Sequence, residues 1–518
     1  MAADDNSPLP TPKIDLVDNS KHTSSVLVKS VDAEALDAAE EAIVSSQEFT
    51  DDDFKRLRRK VDLVIMPVLM IMYGIYYAGE SVLSQGVPFG LAEDTRLKGN
   101  EYGNLQTFYY VALGVAQMPI GYLMQRFPIG RALSVFIMAW GALIMLCAAC
   151  TSYAGLAVVR SLLGCFIAAT IPGFAILTSS WFLRGEQTLR QGLYYQMNTT
   201  MAIVFGIGNY ALAKRQQERG GLSGWKAINL FIGGVTLFMG LVSLLVLGTP
   251  DEVWWLSRRE KRIAKARVVS NATGGGEQHP WRWAQVRECF RDPTFYMGLV
   301  ANILFTVPNG AVVSFITVLL TGFGFDNLQQ VLFQFPLYTF SSLDIVASAA
   351  VVHYYPRLRF PVCIANQVIG VFVFLFVGLS PTSNTSRYVV FVMVAAFNTP
   401  MFIIWPLMSA NIAGRTKKTF NAACMIMAYS AGNVIGSQIM LPSDAPRYIK
   451  GLTAVSACMA ANLLVLLAWW RYYVVVNRRR EAAFVASGLG AEQREHESRV
   501  AGETDMTDIE NRHFRYTC

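Results

Sequence analysis

Three ionisable residues stand inside long apolar stretches, where each is costly and therefore informative. Arg160 lies in Leu156-Ala-Val-Val-Arg-Ser-Leu-Leu163, and a guanidinium in hydrocarbon costs a few kcal/mol unless it faces a cavity or a partner. Its planar fork can hold a carboxylate through two parallel hydrogen bonds, which makes it the candidate anion contact. The competing reading is an arginine near a span end that snorkels to headgroups or bonds helix carbonyls. The carboxyls at depth are Asp344, in Ser341-Ser-Leu-Asp-Ile345, and Glu80, in Ala78-Gly-Glu80. Desolvation disfavours a buried charge, so either can take up and release a proton as its surroundings change. Asp344 sits near the middle of its stretch; Glu80 sits near the outer end, where it could be merely interfacial.

Amides form a second group: Gln196, Asn198, Asn302, Asn309, Asn433 and Gln438. Each can orient a polar ligand, or hold two helices together for about 1 kcal/mol. Asn309 is favoured as a ligand contact, because Pro308 and Gly310 flank it and a broken helix frees backbone groups beside a cavity. Asn433, between Gly432 and Gly436, reads either as a ligand contact or as a mark of close helix packing. Trp405 and Tyr429 could stack on a substrate ring, though aromatics in spans also simply pack. The five histidines are unpaired at metal spacing and no nucleophile motif accompanies them, so neither a catalytic cluster nor a metal or cofactor site is expected. Gly274 to Gly276 is not followed by Lys-Ser/Thr and reads as a turn. Asn384-Thr-Ser is a glycosylation sequon close to the membrane; Asn271-Ala-Thr falls in a cytosolic loop.

The elements that position these residues follow from composition. The 518 residues are 53% hydrophobic and 16% charged, against about a quarter charged in soluble domains. Windows of about twenty apolar residues place spans near 61–82, 104–125, 132–150, 154–178, 191–213 and 225–248, then 294–320, 328–352, 361–380, 388–409, 420–441 and 450–474. The stretches are twice the length of a membrane strand and do not alternate, so the reading is an all-α membrane protein of about twelve helices in two six-helix halves. Residues 1–60 form a polar tail with a possible short helix at Ala33 to Ile43, 61–248 the first half, 249–293 a central loop, 294–476 the second half and 477–518 a second tail. Basic residues precede the first span (Lys55 to Lys60), crowd every even-numbered connection (among them Arg126, Arg131, Arg258 to Arg267, Arg357, Arg415 and Lys417) and close the twelfth span (Arg478 to Arg480). Positive loops stay cytoplasmic, so both termini are expected in the cytosol. Lys214, Arg215 and Arg219 are the exception to that pattern.

The net charge of +7 is spread over membrane boundaries and not gathered in one patch, which argues against nucleic-acid binding. The cysteines lie mostly inside spans and read as small packing residues. The loops after spans two and eight, Gly121 to Arg131 and His353 to Pro361, share a basic, proline-bearing character, as two parallel halves would.

Several blocks carry a family likeness: Asp94-Thr-Arg-Leu-Lys-Gly-Asn-Glu-Tyr102, Gln125-Arg-Phe-Pro-Ile-Gly-Arg131, Arg160-Ser-Leu-Leu-Gly164 with Pro172-Gly173, Pro308-Asn-Gly310, Gly322-Phe-Gly-Phe325, Ala413-Gly-Arg-Thr-Lys-Lys418, Gly432-Asn-Val-Ile-Gly436 and Asp444-Ala-Pro-Arg-Tyr448. Together and in this order, from Val61 to about Arg480, the chain resembles the allantoate permease-like branch of the anion:cation symporter family, a fungal group of the major facilitator superfamily. The resemblance implies a twelve-helix, two-half fold and proton-coupled uptake of small organic anions, typically carboxylates, in the plasma membrane. It departs from the branch at Ala78-Gly79-Glu80, where an acidic-basic pair is usual, and at Ile167, where a glutamate is usual. A proton would then need another carrier, and Asp344 is the carboxyl best placed by depth. Export or uniport of an organic acid, or nutrient sensing without transport, are the alternatives. The short tails favour a transporter, expected to act as a monomer.

Overall fold

The computed structural model describes residues 49–269, 282–487 and 506–517. The expected helix at Ala33 to Ile43, the sequon at Asn271 and the glycine run fall outside them. The described chain is all-helical, with twelve spans. Span one is Asp51–Gly86, two Glu101–Arg126, three Ile129–Cys147, four Tyr153–Ile167 with Thr170–Trp181, five Arg184–Arg219 and six Gly224–Val246. Span seven is Pro293–Gly322, eight Asn327–Leu332 with Phe335–Tyr354, nine Arg359–Leu379, ten Asn384–Phe391 through Thr399–Asn411, eleven Arg415–Ile439 and twelve Ile449–Ser487. Several spans overrun the apolar windows, because a helix continues into polar flanks: span one starts ten residues early on Thr50, whose side chain caps the Asp53 N–H.

Nine helices are long and apolar enough to cross a membrane by themselves among the described residues. Spans two, five and eleven are not among them. Their lower hydropathy has a structural cause: they carry the polar side chains that join the two halves. Span two packs on span eleven and span five on span eight.

Breaks in two spans shape the interior. Span four is interrupted at Ala168–Ala169 and span ten passes through a 3-10 stretch, Val392–Asn398. Each break lies just before a proline, Pro172 and Pro400. Proline has no N–H for the carbonyl four residues earlier, here Ala168 and Ala396, so the regular ladder fails at that point. Spans four and ten occupy equivalent places in the two halves. Span seven, by contrast, stays helical through Pro308, which corrects the expectation of a broken helix at Asn309.

Close packing of spans seven and eleven rests on small residues. A Cβ on Gly310 would run into the Asn433 backbone, and one on Gly432 into Thr306 and the Ile303 carbonyl. In lipid such approach supplies the van der Waals contact that hydrophobic burial supplies in water.

Candidate functional site

Near mid-length the halves enclose a cavity of about 60 Å³, lined by Tyr77 of span one, Tyr195, Asn198 and Thr199 of span five, Val312 and Ile316 of span seven, Tyr338, Ser341 and Ile345 of span eight, and Phe397, Asn398 and Phe402 of span ten. That volume holds roughly four ordered waters. The lining mixes aliphatic and aromatic side chains with amides and hydroxyls, and holds no charged side chain among the described residues. The irregular stretch of span ten forms one wall, so the broken helix that sequence placed in span seven lies here. The dipeptide Thr399-Pro400 was the available signal.

A tyrosine cluster adjoins the cavity. Tyr73 stacks near Tyr76 with ring centroids 5.7 Å apart, and lies 5.3 and 5.0 Å from Tyr194 and Tyr195. Tyr195 reaches Phe402 of the other half at 5.8 Å. Sequence reasoning missed this cluster. Its signal was three tyrosine pairs, Tyr76-Tyr77, Tyr109-Tyr110 and Tyr194-Tyr195, at depth in spans one, two and five.

Glu80 is 4% exposed, buried in protein and not at the headgroups: span one runs to Gly86, four residues past the expected end, and carries it inside. Its Oε1 accepts from the Tyr110 hydroxyl at 3.0 Å and the Tyr429 hydroxyl at 3.4 Å. Tyr110 belongs to the first half and Tyr429 to the second, so this carboxyl bridges them. Tyr429 also meets Trp405 edge to face at 6.1 Å. Trp405 donates to Asn302 Oδ1 at 3.2 Å, which gives it a packing partner within its own half.

Arg160 is 0% exposed, which excludes snorkelling. Its Nη2 donates to Gln106 Oε1 at 2.6 Å, and the guanidinium lies 4.5 Å from the Tyr109 ring centroid. Its Nε and Nη1, the Gln106 Nε2 and the Tyr109 hydroxyl are all buried without a hydrogen-bond partner. Four unused polar groups gathered around one cation are costly, at about 1–3 kcal/mol each. Arg160 does not line the cavity.

The remaining candidates separate by role. Asn309 donates to Asn433 Oδ1 at 2.9 Å, and Asn433 donates to the Tyr429 carbonyl at 2.9 Å; the two amides satisfy each other between spans seven and eleven. Asp344, on span eight, accepts from the Thr399 hydroxyl of span ten and is not part of the cavity lining. Asn198 lines the cavity, with its Oδ1 buried and unpartnered. Gln438 lies away from it, at the end of the bundle opposite the chain termini. There it accepts from Asn100 at 2.5 Å and donates to Asn104 at 3.2 Å and Thr107 at 2.6 Å.

Gln438 belongs to a seam. At the same end Thr107 pairs with Ser437 at 3.1 Å, Gln85 donates to Gln334 at 2.7 Å, Thr317 donates to the Ser84 carbonyl at 2.9 Å, and Tyr102 donates to the Ser314 carbonyl. Nearer mid-depth Gln196 and Thr199 bond Ser342 at 2.6 and 2.7 Å. Between described residues, the hydrogen bonds joining the halves lie at this far end or at mid-depth. The ends near the termini are instead tied within each half, by Arg190–Asp62 at 2.7 Å in one and Lys417–Asp292 at 2.8 Å in the other.

Residues 69–437 match the Major Facilitator Superfamily. The chain belongs to that family. As a major facilitator it is a multi-pass membrane transporter and not an enzyme. An uncharacterized transporter of Schizosaccharomyces pombe is 31% identical over 423 residues, covering 81% of this chain and 79% of that one. The allantoate permease of Saccharomyces cerevisiae is 27% identical over 501 residues, covering 93% and 90%. A thiamine pathway transporter of the same yeast is 27% identical over 469 residues, covering 89% and 86%. Among solved structures, a partially occluded inward-open form of the xylose transporter XylE from E. coli superposes with a TM-score of 0.61 at 12% identity, covering 80% and 98%.

Proposed function

We propose that this facilitator moves a small organic anion, a carboxylate, by proton-coupled alternating access, acting as a monomer in the plasma membrane with both termini in the cytosol. The observation that carries the anion is the buried Arg160 with its unused Nε and Nη1 beside the unused Gln106 Nε2 and Tyr109 hydroxyl. A carboxylate has the acceptors to satisfy such a set of donors. The likeness to allantoate permease adds weight. With the termini cytosolic, the seam of Gln438, Gln85 and Thr317 closes the outer side.

For the proton, the geometry favours Glu80 over Asp344. Glu80 is bonded from both halves, so its hydrogen bonds must change when the halves rock, whereas Asp344 is bonded within the second half. Asn198 and the tyrosines of the cavity would hold the substrate body. Trp405, Asn309, Asn433 and Gln438 serve the framework and the seam.

A second reading rests on the uncharged cavity lining. That surface suits a planar, neutral, hydrogen-bonding solute, and Arg160 then keeps the framework in register. Uptake of labelled carboxylates, ureides and neutral heterocycles into vesicles, with and without an inward proton gradient, separates the two. Accumulation of a carboxylate that collapses with the gradient supports symport of an anion. Uptake of neutral solutes alone removes the anion, and indifference to the gradient leaves an exporter or uniporter.

A further inference from the structure

The last described segment, residues 506–517, is not a loose tail. It lies against the terminus-side rim of the second half, where Asp508 is 0% exposed. Two asparagine side chains grip its backbone from both sides. Asn477 of span twelve donates to the Tyr516 carbonyl at 2.8 Å and accepts from the Tyr516 N–H at 3.0 Å. Asn411, at the end of span ten, does the same with Thr517, at 2.9 and 2.7 Å. A side-chain amide that takes both polar groups of one residue imitates the partner strand of a sheet, as in strand addition to an edge.

Side chains then fix the register. The Tyr516 ring stacks on Tyr473 at 4.5 Å, and its hydroxyl donates to Asp508 Oδ2 at 2.8 Å. Asp508 Oδ1 pairs with Lys417 at 2.8 Å, an ammonium that also meets Asp292 and Glu288. Arg480 donates to the carbonyls of Phe514 and Asp508, both at 2.7 Å. All of these partners belong to spans ten, eleven and twelve or to the segment leading into span seven. None belongs to the first half.

We propose that this rim is a peptide-docking groove whose occupant is the chain's own segment 506–517, held as a reversible clasp that joins spans ten, eleven and twelve into one body. The hydrogen bonds and ion pairs named above, all between described residues, stay within the second half, so the clasp stiffens that half without locking the halves together. Tyr516 and Phe514 also join the apolar cluster of Leu407, Met408, Trp469 and Tyr473, so undocking uncovers a small apolar patch that the returning segment, or an added peptide of the same sequence, covers again.

Hydrogen exchange on the purified full-length protein tests this. The Tyr516 and Thr517 amides should exchange at least ten-fold more slowly than in a free peptide of residues 506–517. In the Asp508→Lys, Tyr516→Ser double variant they should return to the free-peptide rate while the spans keep theirs. A chain ending at residue 505 should bind the labelled free peptide saturably, and the full-length chain should bind far less of it. Free-peptide exchange in the unaltered protein, or equal peptide binding by both chains, overturns the proposal.

Discussion

Replacing Gln438 with leucine should open the far end of the bundle. The change removes three hydrogen bonds that cross between halves, to Asn100, Asn104 and Thr107. Side-chain hydrogen bonds between membrane helices contribute about 0.6 kcal/mol each on average, so the three together contribute about 2 kcal/mol. Water enters as the seam parts and satisfies Asn100 and Asn104 in the open form, so little of this is lost to stranded partners. At about 1.4 kcal/mol per factor of ten, the equilibrium moves roughly thirty-fold toward the form open at that end, and a state populated at about 1% rises to about a quarter. Ser84→Cys supplies a reporter, because Ser84 is fully buried at the seam. Labelling by a membrane-impermeant thiol reagent, corrected for the same chain without the reporter, should rise at least five-fold in the leucine variant. Unchanged labelling in a normally folded variant refutes the claim that these bonds hold the seam.

Other expectations follow from the site. Arg160→Ala should reduce transport at least a hundred-fold with normal membrane expression, and Arg160→Lys should recover little, because one ammonium lacks the forked geometry; transport by the alanine variant at the parental rate would make the arginine structural. Glu80→Gln should keep substrate exchange and lose accumulation driven by a proton gradient, whereas Asp344→Asn should keep both; the reverse pattern restores Asp344 as the carrier. Asp94, in the loop between spans one and two, accepts from Ser223 at 2.5 Å and Trp225 at 2.8 Å, and these bonds hold its carboxyl below the usual 3.8. Its contribution to stability is therefore complete above the unfolded-state value and disappears as pH falls through the lower folded one. Thermal melts of Asp94→Asn should show a lower Tm than the parent near neutrality and converge with it in strong acid; parallel curves at every pH would exclude the linkage.

The spans and their pairing into halves were legible because hydrocarbon sets a length and excludes charge, constraints that act on every window of the chain. Arg160, Glu80 and Asp344 stand out in the sequence because a charge in an apolar stretch requires an explanation, but the burial of Glu80 between Tyr110 and Tyr429 does not follow from that pattern. What the sequence hid is which side chain meets which. Asn309 and Asn433 are of the same residue type and at similar depth as Asn198, yet two of them bond each other and one faces the cavity; only the packing of spans seven and eleven decides that. The sequence points to the proline of span seven for a broken helix, whereas the breaks lie before Pro172 of span four and Pro400 of span ten. A proline inside a span is tolerated where neighbouring groups re-satisfy the ladder, and that is a property of neighbours. The docked tail was illegible because its polar composition is that of any exposed segment.

The seam also sets a problem of timing for the cell. Asn100 and its partner Gln438 are separated by 338 residues, which at ribosomal rates is roughly 20 to 70 s of synthesis. For most of that interval span two, and for its later part span five, are already threaded into the bilayer, although neither is apolar enough to be a strong insertion signal and their cross-half partners do not yet exist. The nascent first half must therefore carry unpaired amides and hydroxyls in lipid, sheltered by its own apolar spans or by an insertion factor. The same polarity that lets the finished protein part along this line leaves the half-made one with polar groups whose partners are still to be made.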